Sequence, residues 1–127
     1  MSTVEERWAT EPYCYLTTTG RRSGKPHEIE IWFAAVGDTI YLMNGTSSDL
    51  EKAGQSDWVK NLQANPSVRV RIGDEQFTGE ARVVPFDSEE HERIRDLLVP
   101  KYERADYNLS RWRKVAFPVA IALSPAS

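Results

Sequence analysis

Three cations crowd a glycine-containing turn within residues 16–26, in a chain whose formal net charge is −3. They are Arg21, Arg22 and Lys25. Turn glycines allow backbone conformations that other residues avoid, and they let a ligand approach the main chain closely. Backbone N–H groups beside guanidinium groups suit a phosphate or a carboxylate. The segment matches neither the Walker nor the dinucleotide-binding glycine pattern. Spacing alone therefore leaves two interpretations open, an anion site and a solvated hairpin tip.

Two further groups of side chains could take part in chemistry. A loop of small hydrogen-bonding residues runs from Asn44 to Ser48, a composition that is also typical of a plain connector. Three aromatic residues, Tyr102, Tyr107 and Trp112, fall within eleven residues of polar chain. They would either close over a substrate or simply cover the core.

Composition and charge set limits on the function. The sequence pI near 5.4 argues against general binding to nucleic acid, which favours a basic face. Cys14 is the only cysteine, which excludes an intrachain disulfide and zinc cages built on cysteine, and we predict no metal site. The N-terminus lacks the apolar core of a signal peptide, and no apolar run approaches the length of a membrane span. We therefore expect a cytoplasmic protein with no stable membrane insertion.

Periodicity and turn residues predict six strands and three helices. The third helix is capped by Ser88, and Pro100 should kink or end it. Pro118 lies in the last strand and favours an edge or a bulge there. The predicted strands span residues 13–19, 28–33, 39–43, 68–72, 76–84 and 115–123, and the first two helices span residues 3–9 and 58–64.

Hairpin connections dominate this order of elements, so the sheet should be mostly antiparallel. We expect a mainly β (α+β) fold, in which about six strands close into a small barrel and two or three helices cover its open ends. The length of 127 residues fits a single domain, 1–127, with residues 1–11 as an N-terminal helix or arm.

Two segments resemble signatures of the deazaflavin-dependent nitroreductase family. Residues 17–26, TTTGRRSGKP, are similar to the family's signature turn. Residues 57–68, DWVKNLQANPSV, are similar to its second signature, a helix that leads into a strand. The resemblance runs from about residue 13 to residue 123, nearly the whole chain. Two motifs in the right order are far more specific than either one alone.

The resemblance implies a fold, a cofactor and a reaction. The fold is a split β-barrel related to the flavin-binding pyridoxamine-phosphate oxidases. The cofactor is the 8-hydroxy-5-deazaflavin coenzyme, coenzyme F-420, which carries a phosphate and an oligoglutamate tail. The reduced coenzyme passes a hydride to nitroaromatics, quinones or other activated double bonds, so the substrate would be a small-molecule electron acceptor. A homodimer is also expected, since sheet edges in this fold often pair.

The resemblance also implies site residues. The phosphate would lie near the basic turn, and the deazaflavin ring would lie along strand two and against the loop that follows strand three. Hydroxyl and N–H groups of that loop would stabilise negative charge as the acceptor takes up the hydride. The predicted cofactor-binding residues are Arg21, Arg22, Ser23, Gly24, Lys25, Ile31, Trp32, Asn44, Gly45, Thr46, Ser48, Trp58 and Asn61, the predicted catalytic residues are Ser47 and Tyr107, and the predicted substrate-contacting residues are Tyr102 and Trp112.

Several alternatives stay open on the sequence alone. The same fold could bind FMN or haem, and a non-catalytic pocket protein for a lipid or another apolar ligand is a third interpretation. Trp58 could equally pack in the core beneath its helix. Asn61 could serve only to bridge backbone groups.

Overall fold

The structure, a computed structural model, describes residues 3–44, 57–103 and 109–125, with the side chains of residues 110, 111 and 115 left out. Within these ranges the chain forms four helices and seven strands. The helices are α1 (Val4–Trp8), α2 (Asp57–Ala64), α3 (Glu89–Tyr102) and α4 (Ser110–Val115), and the strands are β1 (Cys14–Thr19), β2 (Pro26–Ile31), β3 (Ala34–Val36), β4 (Thr39–Asn44), β5 (Ser67–Ile72), β6 (Glu75–Val83) and β7 (Phe117–Pro125). Among the described helices, none is long and apolar enough to cross a membrane.

The seven strands form one antiparallel sheet in the order β2-β1-β5-β6-β7-β4-β3. β2 and β3 are its two edges, yet only Trp32 and Phe33 connect them. Two linking residues hold the Cα atoms of Ile31 and Ala34 within about 11 Å of each other. A flat seven-stranded sheet would place its edges about 29 Å apart. The sheet must therefore curl until its edges meet, which confirms the predicted antiparallel barrel.

The barrel has one more strand than the sequence predicted, because the run 28–36 is not continuous. It breaks at Trp32 and Phe33, which separates β2 from β3. The prediction that Pro118 marks an edge or a bulge is wrong, since β7 pairs with β6 on one side and, in continuous register through Pro118, with β4 on the other. Pro118 is only the second residue of β7, and its carbonyl accepts from the N–H of Val84 at 3.1 Å.

Successive side chains of a strand point to opposite faces of the sheet, so alternate residues pack into two separate hydrophobic cores. Ile40 and Leu42 of β4 point into the barrel, together with Val119 and Ile121 of β7. Their neighbours face the opposite way and pack beneath α3 and α4. This second core contains Ala34, Met43, Val84, Ile94, Leu98, Val99, Tyr102, Leu109, Ala116 and Ala120.

Helix α1 closes one end of the barrel. Thr3 and Glu6 form a reciprocal capping box at its start. Asp38, in the β3–β4 turn, accepts from the N–H of Val4 at 2.9 Å. In the β5–β6 turn, Gly73 (φ +59°) leaves no room for a side chain, because a Cβ would lie 2.5 Å from the Trp8 ring. The predicted N-terminal helix is confirmed, and it joins two hairpin turns.

Helices α3 and α4 cover the outer face of β3 and β4. Ser88 caps α3 as predicted, accepting from the N–H of His91. The helix does not end at Pro100 but continues to Tyr102, which its contacts with the barrel hold in place. The sequence did not predict α4. Buried Arg95 donates to the carbonyls of residues 113 and 114 at 2.6 and 3.0 Å, so it caps the last turn of α4 from a neighbouring helix.

Candidate functional site

The basic turn connects β1 to β2 and has a defined geometry. The N–H of Gly20 donates to the carbonyl of Lys25 at 2.8 Å, and the N–H of Gly24 donates to the carbonyl of Gly20 at 2.9 Å. Gly24 has a φ of +70°, in the region that favours glycine. A Cβ on Gly20 would lie 2.5 Å from Ser23 Oγ and 2.8 Å from His27 Nε2. The backbone conformation of the turn therefore favours glycine at position 24, and a side chain at position 20 would force Ser23 and His27 to move.

The side-chain amide of Asn61, on α2, binds this turn through hydrogen bonds to Arg21. Asn61 Oδ1 accepts from the backbone N–H of Arg21 at 3.1 Å and from its Nη1 at 2.9 Å. Asn61 Nδ2 faces Thr18 Oγ1 at 3.4 Å on β1. Asn61 is only 4% exposed, so these bonds form away from bulk water. The first arginine of the turn is thus fixed in direction before any ligand arrives.

Trp58 lies one helical turn before Asn61 and joins the core beneath α2. Its side chain is 9% exposed and belongs to the barrel core, and its Nε1 donates to Asn44 Oδ1 at 3.2 Å. Asn44 is the last residue of β4. This contact therefore ties α2 to the end of β4, as the hydrogen bonds to Arg21 tie α2 to the end of β1.

A cleft of about 460 Å³ opens between the turn and α2. Two guanidinium groups, two carboxylates and one imidazole line it. Arg22 and Lys25 are exposed, and neither forms an ion pair with another residue that the structure describes. The cleft is lined by Gly20, Arg21, Arg22, Ser23, His27, Glu28, Ile29, Asp57, Trp58 and Asn61.

A second group of predicted residues gathers at the β2–β3 junction. The Trp32 ring stacks on Tyr102 with centroids 4.3 Å apart and planes within 3°, and it meets Trp112 edge-on at 5.7 Å. Offset and edge-to-face pairs of this kind are favourable for aromatic rings. The two residues predicted to contact substrate, Tyr102 and Trp112, therefore both touch the residue predicted to lie beside the deazaflavin ring.

The hydroxyl of Tyr102 holds the main chain at this junction. It accepts from the N–H of Phe33 at 3.1 Å, and its proton lies between the carbonyls of Pro12 at 2.7 Å and Phe33 at 3.0 Å. Burial raises the pKa of this phenol. These contacts give Tyr102 a structural role, and its substrate role stays a prediction.

Lys101 supports the same junction with a half-buried amine. Its Nζ donates to the carbonyl of Phe33 at 2.8 Å and lies 4.0 Å from the centroid of the Phe33 ring. Burial lowers the pKa of Lys101 to about 8. The nearby Cys14 thiol is fully buried, and burial raises its pKa to about 12, so this cysteine is an inert core residue.

The two groups are joined by β2 but do not coincide. Five residue steps separate Pro26, beside the turn, from Ile31, beside Trp32, which is about 17 Å along the strand. Ile29 lies between them and lines the cleft. An extended ligand is needed to reach from one group to the other.

Five predicted residues, Gly45, Thr46, Ser47, Ser48 and Tyr107, lie outside the described residues.

Five polar residues at these two groups were not predicted as site residues. Two of them, His27 and Glu28, line the cleft. Thr18 supports Asn61, Asp57 contacts Arg21 at 3.2 Å, and Lys101 holds Phe33. Asp57 begins the second signature segment, so the motif did mark its position. For Lys101 the sequence holds no signal, because its burial depends on how α3 packs against the junction.

Comparison with known proteins identifies relatives along almost the whole chain. A family model described as F420H(2)-dependent quinone reductase matches residues 1–123. An F420H(2)-dependent quinone reductase of Mycobacterium tuberculosis is 28% identical over 83 residues, which cover 65% of this chain and 54% of the relative. The chain therefore spans about half the length of the curated relatives it matches. Here F420H(2) denotes the reduced form of coenzyme F-420.

Solved structures show the same fold. A structure of an F420-H2 dependent reductase matches with a TM-score of 0.69 and 26% identity, over 89% of this chain and 94% of that one. Another neighbour, described as a domain-swapped dimer, has a TM-score of 0.69 and 25% identity, over 89% and 80% of the two chains. A Listeria innocua protein described as a pyridoxamine 5′-phosphate oxidase has a TM-score of 0.57 and 20% identity, over 91% and 85%. The predicted split β-barrel is confirmed.

Proposed function

The chain belongs to the F420H(2)-dependent quinone reductase family, and on this premise we propose that it transfers a hydride from a reduced deazaflavin coenzyme to a quinone, a nitroaromatic or another activated acceptor. The observation that carries the proposal is the pair of hydrogen bonds by which Asn61 of α2 holds Arg21 of the turn. Arg21 of the first signature and Asn61 of the second are 40 positions apart, and they meet through two hydrogen bonds. The two motifs of the resemblance thus lie in contact, which supports a site shared between them.

The residues of the turn fit the phosphate of such a coenzyme. Guanidinium groups bind phosphate through charge-assisted hydrogen bonds, and the Ser23 hydroxyl can add a neutral donor. The backbone N–H groups of Gly20, Arg21, Gly24 and Lys25 already donate within the protein. The space where a Cβ on Gly24 would stand is open, so a ligand could approach the turn on that side. Arg22 and Lys25 project from the same turn and suit an acidic tail. This pairing explains three cations at one place on an acidic chain.

In the proposed mechanism the protein binds and orients, and no side-chain nucleophile is needed. When bound, the coenzyme supplies the hydride, and the acceptor takes it up with a proton from water to give the reduced product. Arg21, held by Asn61, would fix the phosphate end. Ile29 and Ile31 would support the ring along β2, and the loop beyond Asn44 would supply donors to the acceptor.

The acceptor would bind beside the aromatic group at the β2–β3 junction. Trp32 and Trp112 present flat rings at an angle of 74° to each other, and both are only partly buried. Offset contact with a flat acceptor would contribute about 0.5–1.5 kcal/mol for each ring pair beyond the area it buries. On this basis we propose that Trp112 contacts the acceptor, and that Tyr102 acts on the same side by supporting the Trp32 ring on which it stacks.

A binding titration tests the proposed cofactor. Fluorescence or absorbance of coenzyme F-420, of FMN and of haem would be followed as purified protein is added. We expect the deazaflavin coenzyme to bind, and binding of FMN or haem alone would replace the proposal with one of the alternatives. Arg21→Ala with Arg22→Ala should weaken coenzyme binding by about 2–4 kcal/mol, because two charge-assisted contacts are partly lost. The exposed Arg93→Ala is the matched control and should leave affinity unchanged.

We also propose that the chain forms a homodimer. A domain-swapped dimer among its structural neighbours supports this, and β2 and β3 provide sheet edges at the junction. Light scattering of the purified protein tests the proposal, and a monomer at every concentration would contradict it. A cytoplasmic location stays a prediction.

A further inference from the structure

Asp57 places a carboxylate on the wall of a cleft that we propose to bind an anion. Its Oδ1 accepts from Arg21 Nη2 at 3.2 Å, and both residues line the cleft. The contact uses one oxygen only. The Asp57 side chain is 87% exposed, against 27% for Arg21. Exposed ion pairs of this kind contribute little to stability, so the pair can open readily.

Arg21 does not need Asp57 to stay in place. Asn61 already binds its backbone N–H and its Nη1, at 3.1 and 2.9 Å. Asn61 occupies Nη1 and Asp57 occupies Nη2 of this guanidinium group. A phosphate that binds at Nη2 therefore competes with the carboxylate and, once bound, remains close to its charge.

We propose that Asp57 limits the affinity of this cleft for its anionic ligand and speeds the ligand's release. The identity of that ligand rests on the proposed function. A coenzyme that carries hydrides between enzymes must leave after each turnover, so a carboxylate that takes its place at Arg21 would favour exchange. Glu28 is the other carboxylate in the cleft, but no ion pair joins it to Arg21 among the described residues.

The competing explanation makes Asp57 a purely structural residue. It is the first residue of α2, where a negative charge favours the helix dipole, and it could serve to orient Arg21. The two explanations predict opposite changes in anion affinity when Asp57 is neutralised. If Asp57 orients Arg21, its neutralisation weakens anion binding, and if Asp57 competes with the ligand, its neutralisation strengthens binding.

The test compares Asp57→Asn with the wild type and with Asp74→Asn. Asp74 is an exposed residue in the β5–β6 turn, away from the cleft, so this control makes the same change in net charge. Each protein is titrated with coenzyme F-420 by fluorescence and with inorganic pyrophosphate by calorimetry. Coenzyme dissociation is followed by stopped flow.

We expect Asp57→Asn to bind both probes roughly five- to tenfold more tightly and to release the coenzyme more slowly by a similar factor. Asp74→Asn should stay within about twofold of the wild type. Unchanged or weaker binding in Asp57→Asn would overturn the inference, as would the absence of pyrophosphate binding in every variant. Tighter pyrophosphate binding with no coenzyme binding in any variant would support the role of Asp57 and refute the proposed function instead.

Discussion

Replacing Tyr102 with Phe tests how the barrel is closed. The change removes one oxygen atom and keeps the ring that stacks on Trp32 at 4.3 Å. That oxygen accepts from the N–H of Phe33 at 3.1 Å and donates its proton to the carbonyl of Pro12 or Phe33. The substitution therefore separates the clamp on the β2–β3 junction from the aromatic stacking.

The expected loss of stability follows from these contacts. One accepted and one donated hydrogen bond disappear, each worth about 0.5–1.5 kcal/mol net. The buried N–H of Phe33 is also left without its partner, and an unsatisfied buried group costs about 1–3 kcal/mol. The lost accepted bond and the unsatisfied N–H are two views of one interaction and are not added, so we expect Tyr102→Phe to lower the free energy of unfolding by about 2–3 kcal/mol. For a chain of this size that corresponds to a Tm lower by about 8–12 °C.

Urea unfolding and thermal melts measure this effect, with Tyr13→Phe as the control. Tyr13 is 42% exposed, so its change should stay within about 0.5 kcal/mol. If Tyr102→Phe is as stable as the wild type, the hydroxyl does not hold the junction and the reasoning is refuted. A higher acceptor KM with full stability would instead make Tyr102 a substrate residue.

Three further predictions concern other parts of the molecule. Gly73→Ala should lower the free energy of unfolding in urea more than Gly37→Ala does. Both glycines have a positive φ, near +59° and +61°, but only a Cβ at Gly73 meets the Trp8 ring. Equal losses would show that the structure relieves this clash. The pKa of Lys101 falls from 10.5 to about 8 on folding, so the unfolded state binds more protons between these values and stability rises with pH there. Relative to Lys101→Met, the wild type should therefore gain stability from about pH 8 to about pH 10, and parallel pH profiles would contradict this. Trp112→Leu should raise the acceptor KM or lower kcat several-fold while the coenzyme Kd stays within about twofold, and a change confined to Tm would make Trp112 a packing residue.

Local patterns were enough to predict most of the elements. Val68, Val70 and Ile72 alternate with arginines, and this period of two placed β5 correctly with its apolar side in the barrel. Ser88 signalled the start of α3 because its side chain can satisfy one of the first free N–H groups of the helix. Such signals act over a few residues and can be recognised in one sequence.

Features that depend on distant contacts could not be predicted in this way. The run through Trp32 and Phe33 has strand propensity throughout, yet it breaks where Tyr102 and Lys101 of α3 bind the backbone of Phe33. Helix α4 has a weak pattern of its own, and Arg95 of α3 supplies its cap. Tertiary contacts overrode local propensity at both places.

The candidate site also combines features that the sequence predicted with features that depend on distant contacts. The two motifs located the basic turn and α2, but nothing in their spacing showed that Asn61 would hold Arg21 across 40 positions. The cations were visible in the sequence, whereas the carboxylate that Asp57 places among them became apparent only from the fold. Charge type can be predicted from sequence, but charge pairing requires the arrangement of the elements.

The central claim, hydride transfer from the reduced deazaflavin coenzyme, is tested most directly by single-turnover oxidation of that coenzyme. Reduced coenzyme F-420 would be mixed anaerobically with excess protein and then with a quinone, and the return of the oxidised coenzyme's absorbance would be followed. We predict that the quinone triggers rapid oxidation on the wild type and that Arg21→Ala with Arg22→Ala slows it in parallel with the loss of binding. Wild-type protein that binds the reduced coenzyme but leaves it unoxidised with quinones and nitroaromatics alike would contradict the account.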